Sequence, residues 1–403
     1  MKRDVTRRQF LGIAGGAAAL AGLSLAGCGS SSGSSSGSSN SSSNTSETKR
    51  IAVVCSSAGA NDGGFNQNAV EAAKSAASKN GWECNIVEPT NGVAQALETL
   101  GEDGYDLVFN MEYDFEALIS GTGGAQPLAE QYPDTQWVIF NDNPNVDASG
   151  NPLFENVHAV LFNVNEGAFL AGALSVLVNE NVATLFGDGY NFTSPDAGGR
   201  AMGFIGGTNS NGIVVESYGF IEGIQYEAEK LGVTYDYYTR YDAGFTDSAV
   251  GATVAGTFYN QGANIVFGCA GSVVDGVTSK AKEVGKLAIQ VDDNKDNQQP
   301  GYVLTSVLKM TNVPVESICE SFASDAIGSL DNLLNYSVAS GASGITDLAT
   351  ISEHIKDSGK DTWNKITEEI KDLTGKVGGE IKVINAQIGE SFDASTCPNV
   401  NIQ

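Results

Sequence analysis

Short β-branched runs alternate with longer helical patterns along this chain of 403 residues, and two such series follow each other. The apolar run at 51–55 has the composition of a strand buried in a parallel sheet. Further strands are predicted at 83–88, 107–109, 136–140, 157–162, 201–205, 233–239, 264–267, 287–291 and 303–308. Alternation of this kind gives right-handed crossovers around a parallel sheet. The sequence therefore predicts an α/β fold with two doubly wound lobes.

Helices are predicted between these strands by apolar residues that recur with helical spacing. They span 66–79, 93–100, 116–131, 166–178, 212–231, 248–261, 273–284 and 314–334. The C-terminal part adds an amphipathic helix at 361–373 and a strand at 380–384, and 187–200 is predicted to be an inserted loop. The whole chain is therefore predicted to divide into four parts: a signal peptide at 1–28, a tether at 29–49, one lobe at 50–163 plus about 309–403, and a second lobe at 164–308.

The N-terminus has the layout of an exported bacterial lipoprotein. A basic head precedes an apolar run at 10–26, and Leu25-Ala26-Gly27-Cys28 forms a small-residue cleavage site before a cysteine. We expect Cys28 to be lipidated and to anchor the protein to the extracytoplasmic face of the cell membrane. The pair Arg7-Arg8 favours twin-arginine export, with an ordinary secretory signal as the alternative. The apolar run is shorter than the ~20 residues that span a bilayer.

The composition of the chain limits which classes of partner, metal and cofactor it is expected to bind. The formal net charge is −26, which repels phosphate backbones and argues against nucleic-acid binding. Beyond Cys28, five cysteines remain without a C-x-x-C motif, so we predict no metal site and leave one disulfide or buried free thiols open. There is no Walker loop or Gly-x-Ser-x-Gly elbow, and we predict no cofactor.

Polar and aromatic residues follow several predicted strands, where ligands bind in open α/β sheets. The candidate ligand-binding residues are Asp62, Phe65, Asn66, Asp142, Phe245, Gly271, Asp292 and Lys309. Carboxylates bind vicinal hydroxyls, and two rings can enclose a flat group. Each residue also has an ordinary structural interpretation: Asp or Asn can cap a helix, Phe can belong to the core, and Lys can be solvated. Their shared position after strands favours the functional interpretation.

Several motifs occur in an order typical of one known family. They are Asp62-Gly63-Gly64-Phe65-Asn66-Gln67, Glu166-Gly167-Ala168-Phe169-Leu170-Ala171-Gly172, Gly203-Phe204-Ile205-Gly206-Gly207, Tyr218-Gly219-Phe220-Ile221-Glu222-Gly223, Val291-Asp292 and Val303-Leu304-Thr305-Ser306-Val307-Leu308-Lys309. Over about 50–335 the chain resembles the basic membrane protein family of ABC-transporter substrate-binding lipoproteins, which bind purine nucleosides. The resemblance implies a type I periplasmic-binding-protein fold with lobes joined by hinge strands.

The resemblance also implies roles for the candidate residues. Phe65 and Phe245 would flank the base, while Asp62, Asn66, Asp142, Asp292 and Lys309 would hold the base edge or the ribose. The chain departs from the family pattern in three segments that line the expected pocket. These are Asn110-Met111-Glu112-Tyr113, Ala270-Gly271-Ser272-Val273-Val274 and Asp293-Asn294-Lys295.

The expected function is that of a monomeric solute receptor, which closes on a small ligand and delivers it to a membrane permease and ATPase. The ligand implied is a purine nucleoside. A sugar receptor and a sensor that signals to another partner are alternatives. A nucleoside or glycoside hydrolase with paired carboxylates such as Asp62 and Asp292 is the enzymatic rival.

Overall fold

The computed structural model describes residues 48–112 and 114–403. The predicted signal peptide, Cys28 and the tether as far as residue 47 lie outside the described residues. Thirteen strands occur in the described part: β1 (Arg50–Val54), β2 (Glu83–Val87), β3 (Leu107–Asn110), β4 (Gln136–Phe140), β5 (Val157–Phe162), β6 (Ala201–Gly206), β7 (Tyr235–Arg240), β8 (Ile265–Cys269), β9 (Leu287–Asp292), β10 (Val303–Lys309), β11 (Leu333–Tyr336), β12 (Ser343–Ile345) and β13 (Val400–Ile402).

Helices connect most of these strands. In the described part they are α1 (Phe65–Asn80), α2 (Val93–Glu102), α3 (Glu116–Ile119), α4 (Leu128–Gln131), α5 (Val164–Asn179), α6 (Val182–Leu185), α7 (Asn211–Leu231), α8 (Ser248–Asn260), α9 (Val273–Val284), α10 (Asn312–Ala323), α11 (Ala349–Ser352) and α12 (Lys360–Lys376). None of the helices in these ranges combines the length and apolar composition that a bilayer span requires.

The strands form two sheets of the same winding. The first has the order β2-β1-β3-β4-β5-β11, and the second has the order β13-β7-β6-β8-β9-β10-β12. All pairs are parallel except β10 with β12. In each sheet the order reverses once, between β1 and β3 and between β6 and β8, and such switch points are where doubly wound folds bind ligands. The predicted α/β class with two doubly wound sheets is confirmed.

The C-terminal segment differs from the predicted division into lobes. The chain passes between the sheets three times, because β6 follows β5, β11 follows β10, and β12 follows β11 in the alternate sheet. Only β11 of the segment beyond 309 joins the first sheet, within the described residues. Strand β12 pairs with β10, and β13 adds to the edge of the second sheet beside β7. Without β12 and β13, strands β10 and β7 would be the edges of the second sheet. The unpaired backbone groups at such edges need hydrogen-bond partners, which β12 and β13 supply.

Three predicted elements also end differently in the structure. The helix predicted at 116–131 is two short helices, since Gly121, Gly123 and Gly124 between them adopt φ of 73°, 61° and 87°. The helix predicted at 314–334 stops at Ala323, because Asp325 is left-handed at φ 54°. The strand predicted at 380–384 is reduced to an isolated bridge between residues 377 and 381.

Burial on both faces explains the apolar strands of the first sheet. On β1, Ile51 and Val53 join one buried cluster while Ala52 and Val54 join another. Successive side chains of a strand point to opposite faces, so a strand covered on both sides is apolar at every position. Helices therefore cover both faces of this sheet, and the polar edge at the strand ends is left for a site.

Glycines determine how closely α7 approaches α5 in the second lobe. A Cβ atom at Gly219 would lie 2.3 Å from the backbone oxygen of Asn165, and one at Gly223 would lie 2.0 Å from that of Phe169. Any larger residue at either position would push the helices apart. This close packing fixes which face of α7 is turned toward the carboxyl ends of the strands.

Candidate ligand-binding site

A cavity of about 540 Å³, partly open to solvent, lies where the carboxyl ends of the two sheets meet. This volume includes the part of the cavity that is open to solvent. It is lined by Ser56, Ser57, Ala58, Asp62, Phe65, Glu112, Ile213, Glu216, Phe245, Cys269, Ala270, Gly271, Val291, Asp292 and Lys309. The structure thus brings six of the eight predicted residues to one cavity, and leaves Asn66 and Asp142 outside its described lining.

Asp62 organises the turn that begins α1. Its carboxylate accepts hydrogen bonds from the backbone N–H groups of Gly64, Asn66 and Gln67, at 3.0, 2.9 and 3.1 Å, and from Asn66 Nδ2 at 2.9 Å. An acidic side chain at this end of a helix is stabilised by the exposed N–H groups and the helix dipole. Four donors occupy the lone-pair sites of one carboxylate, so the Asp62 side chain holds the loop.

Asn66 is fully buried behind this turn. Its Oδ1 accepts the Ser56 backbone N–H at 2.9 Å, and its Nδ2 donates to Ser56 Oγ at 2.8 Å as well as to Asp62. The side chain therefore ties the segment after β1 to the start of α1. This segment supplies Ser56 and Ser57 to the cavity, so Asn66 acts on the site through its neighbours.

Phe65 and Phe245 line the cavity from different lobes. Phe65, the first residue of α1, meets Phe140 edge to face with ring centroids 6.3 Å apart, and Lys309 Nζ lies 5.1 Å from its ring centroid. Phe245 lies in the loop after β7 and packs on Gly207, where a Cβ atom would come within 2.4 Å of the Phe245 ring. Both rings are thus held in place by packing before any ligand arrives.

The turn after β8 packs against the backbone of Phe245. Gly271 has φ 49°, and a Cβ atom there would lie 2.8 Å from the Phe245 carbonyl oxygen. The same carbonyl accepts the backbone N–H of Ser272 at 2.9 Å. Glycine is therefore required at 271, both for the left-handed backbone and for the close approach of the two loops.

Asp292 and Lys309 end the neighbouring strands β9 and β10. Asp292 adopts φ 74°, which turns the chain at the strand end into the cavity. Burial raises the pKa of its carboxyl, and the positive charges of Lys295 and Lys309 oppose that rise. Lys309 is 4% exposed. The two residues bring a carboxyl and an ammonium group to the same cavity, which suits a ligand with both hydrogen-bond donors and acceptors.

Asp142 lies away from this group. Its side chain is exposed and accepts the backbone N–H of Asn143 at 2.8 Å. The preceding residue, Asn141, is buried with φ 71°, and its carbonyl oxygen accepts Gln387 Nε2 at 3.2 Å. The C-terminal segment thus closes over the end of β4, and the left-handed turn at Asn141 directs Asp142 to solvent.

The cavity contains residues that the sequence analysis did not select. Ser56, Ser57 and Glu112 also follow strands, so the same rule would have found them. Glu216 and Ile213 are one turn apart inside α7, where no strand end marks them. Tyr113, quoted with the segment after β3, lies outside the described residues.

Glu216 is buried in this cavity and its pKa is raised to about 8. Burial is the main cause, and the charge of Asp292 adds to it, while Lys309 and a hydrogen bond with Cys269 lower the pKa. The same surroundings raise the pKa of the Cys269 thiol well above its usual value. Both groups are therefore protonated in the neutral range.

The described residues show no cluster of three or more His, Cys, Asp or Glu side chains arranged to hold a metal ion. The five cysteines of the described part are free thiols. The cavity chemistry is thus that of carboxyl, hydroxyl, ammonium and aromatic groups.

Comparison with known proteins identifies the family. The sequence profile of the ABC transporter substrate-binding proteins described as PnrA-like matches residues 49–374. The chain belongs to this family. It is 25% identical over 294 residues to the ABC transporter nucleoside-binding protein BmpA of Lactococcus lactis subsp. cremoris, covering 67% of this chain and 74% of that one. It is 24% identical to basic membrane protein A of Borreliella afzelii, covering 70% and 78%.

Solved structures agree on the fold. The crystal structure of an ABC transporter solute-binding protein from Aeropyrum pernix K1 aligns with a TM-score of 0.67 at 20% identity, covering 86% of this chain and 95% of that one. A solute-binding protein from Conexibacter woesei aligns with a TM-score of 0.56 at 16% identity, covering 84% and 99%. The periplasmic-binding-protein fold implied by the sequence resemblance is confirmed, and this chain is a substrate-binding protein of an ABC transporter.

Proposed function

We propose that this protein binds a purine nucleoside in the cavity between its two sheets. The observation that supports this most is the pair of aromatic rings, Phe65 and Phe245, which reach one cavity from opposite lobes. Two ring faces suit a planar base, since stacking on an aromatic side chain contributes ~1–3 kcal/mol per base. A relative bears the name nucleoside-binding protein, which agrees with this choice of ligand.

The polar groups of the cavity suit the sugar part of such a ligand. The Asp292 carboxyl can accept hydrogen bonds from vicinal hydroxyls, and the Lys309 ammonium group can donate to their oxygens. Both are held at strand ends, where the backbone leaves little freedom. Asp62 would contribute mainly by shaping the loop that presents Phe65.

In transport, the protein would deliver the bound ligand to the membrane components of the transporter. The two lobes would close on the ligand about the three crossings between the sheets, and the closed form would engage a permease and its ATPase. Lipid attached to Cys28 would hold the protein, acting as a monomer, on the extracytoplasmic face of the membrane. A Cys28→Ser variant should then leave the membrane fraction, whereas wild-type protein should stay in it.

Calorimetric titration with adenosine, guanosine and inosine tests the ligand. Wild-type protein should bind at least one of them, and Phe65→Ala should weaken that binding by about 5-fold to 150-fold, from the loss of ~1–3 kcal/mol of stacking. Phe154→Ala is the matched control, since Phe154 is half-buried against the opposite face of the first sheet. Equal weakening in both variants, or no binding by wild-type protein, would refute the proposal. Recovery of intact nucleoside distinguishes a receptor from a hydrolase.

A further inference from the structure

Glu216 is a polar group of the cavity that the role outlined above does not use. It lies in the interior of α7, is 1% exposed and lines the cavity beside the strand ends. Its Oε2 atom is buried and has no hydrogen-bond partner among the described residues. Buried carboxyl oxygens in folded proteins are nearly always paired, so an unpaired oxygen on a side chain that lines a cavity indicates a group reserved for a ligand.

The Cys269 thiol at the end of β8 acts on the same carboxyl and lowers its pKa, and it leaves Oε2 without a hydrogen-bond partner among the described residues. A protonated carboxyl with an unpaired oxygen can donate one hydrogen bond to a group that enters the cavity.

The charges around Glu216 favour the neutral acid. The groups that act on it come from three strands: Lys309 on β10, Asp292 on β9 and Cys269 on β8. The positive charges of Lys295 and Lys309 also lower the pKa of Asp292, so the charge of Lys309 stabilises a second carboxylate besides that of Glu216. The other carboxylates of the cavity are Asp62 and Glu112. On β7 and just after its end, the hydroxyls of Tyr237 and Tyr241 hydrogen-bond with Ser217, the neighbour of Glu216, and burial raises the pKa of each tyrosine above its usual value.

We propose that Glu216 acts as a neutral acid that donates a hydrogen bond from its carboxyl group to an acceptor atom of the bound ligand, a carbonyl oxygen or a ring nitrogen. This rests on the proposed nucleoside function and adds the kind of ligand atom that the α7 side of the cavity selects. An apolar pocket that keeps a carboxyl protonated so that it can donate is a known arrangement in proteins. Ligands without an acceptor at that place leave the acid unpaired and bind more weakly.

The proposal makes binding depend on pH in a defined way. Only the protonated form can donate, so the apparent dissociation constant rises as the protonated fraction falls. Since the pKa of Glu216 is about 8, affinity should fall about tenfold between pH 6 and pH 9. A glutamine at this position has an N–H donor and no titrating proton, and should therefore bind with an affinity that does not change over this range.

The experiment is calorimetric titration of adenosine, guanosine and inosine at pH 6, 7, 8 and 9 with wild-type protein, Glu216→Gln and Glu216→Leu. Comparison at the same pH removes any ionisation of the nucleoside, because it affects all three proteins equally. We expect a loss of about tenfold toward pH 9 in wild-type protein and a constant affinity in Glu216→Gln. Glu216→Leu, which lacks a donor, should bind about 10-fold to 100-fold more weakly than wild-type protein at pH 6. Glu229→Gln, on an exposed position of the same helix, should follow wild-type protein.

The outcomes separate this inference from the proposed function. If wild-type protein binds a nucleoside with the same pH dependence as Glu216→Gln, or if Glu216→Leu binds as well as wild-type protein, the donor role is wrong while the nucleoside function stands. If wild-type protein binds none of the three nucleosides, the proposed function is wrong, and the inference fails with it.

Discussion

Replacement of Glu216 by glutamine should change how stability depends on pH, without any ligand present. In the folded chain the pKa of this carboxyl is about 8, against an ordinary value of 4.5. Between these two values the folded state holds a proton that the unfolded state has released. Stability contributed by this group is therefore present below pH 4.5 and is lost as the pH rises toward 8.

The size of the effect follows from the two pKa values. At ~1.4 kcal/mol per pH unit, the difference between 4.5 and about 8 corresponds to at most about 5 kcal/mol of unfolding free energy. Glutamine has the same shape and no titrating proton. The Glu216→Gln variant should thus gain stability relative to wild-type protein as the pH rises from 5 to 9, with most of the gain complete near pH 8.

Urea unfolding at pH 5, 7 and 9 measures this difference directly, as the free energy of unfolding of the variant minus that of wild-type protein. The control is Glu229→Gln, which removes the same charge from an exposed position of α7. Its difference from wild-type protein should be the same at all three pH values. A difference for Glu216→Gln that is equally flat would refute the reasoning, because it would mean that folding does not hold the proton on Glu216.

Three further substitutions or reagents test parts of the site. Gly207→Ala should weaken nucleoside binding with little loss of stability, because the added Cβ displaces the Phe245 ring from its position 2.4 Å away, and calorimetry measures this. Asn66→Ala should lower the unfolding free energy by about 1–3 kcal/mol in urea, since buried polar partners lose their hydrogen bonds. Of the thiols in the described residues, half-buried Cys84 should react first with a thiol reagent at pH 8, while buried Cys55, whose pKa is about 12, should react only after unfolding.

Much of the cavity could be predicted because strand ends are visible in a sequence. The alternation of strand and helix patterns gives a parallel sheet, and the carboxyl ends of its strands define one edge. That rule alone, without any knowledge of relatives, predicts four of the residues that line the cavity: Phe65, Phe245, Asp292 and Lys309. The same rule also selects Asp142, which is exposed and outside the described lining of the cavity, because the direction of a side chain after a strand depends on a backbone turn that the sequence does not reveal.

Glu216 shows why the rest could not be predicted. A glutamate after Val214 and Val215 in a helical pattern resembles the solvent-facing position of an amphipathic helix. Its inward orientation depends on the rotation of α7, which is set by contact with α5 at Gly219 and Gly223. That contact joins residues that are distant in the chain. Tertiary packing of this kind also placed β12 and β13 on the second sheet, where edge strands offered free backbone groups.

The most direct test of the account is a crystal structure of the protein grown with whichever of adenosine, guanosine and inosine binds most tightly. The account predicts a single nucleoside whose base lies between the Phe65 and Phe245 rings, with its ribose at Asp292 and Lys309. A nucleoside bound elsewhere on the chain, with this cavity filled by water alone, would contradict it.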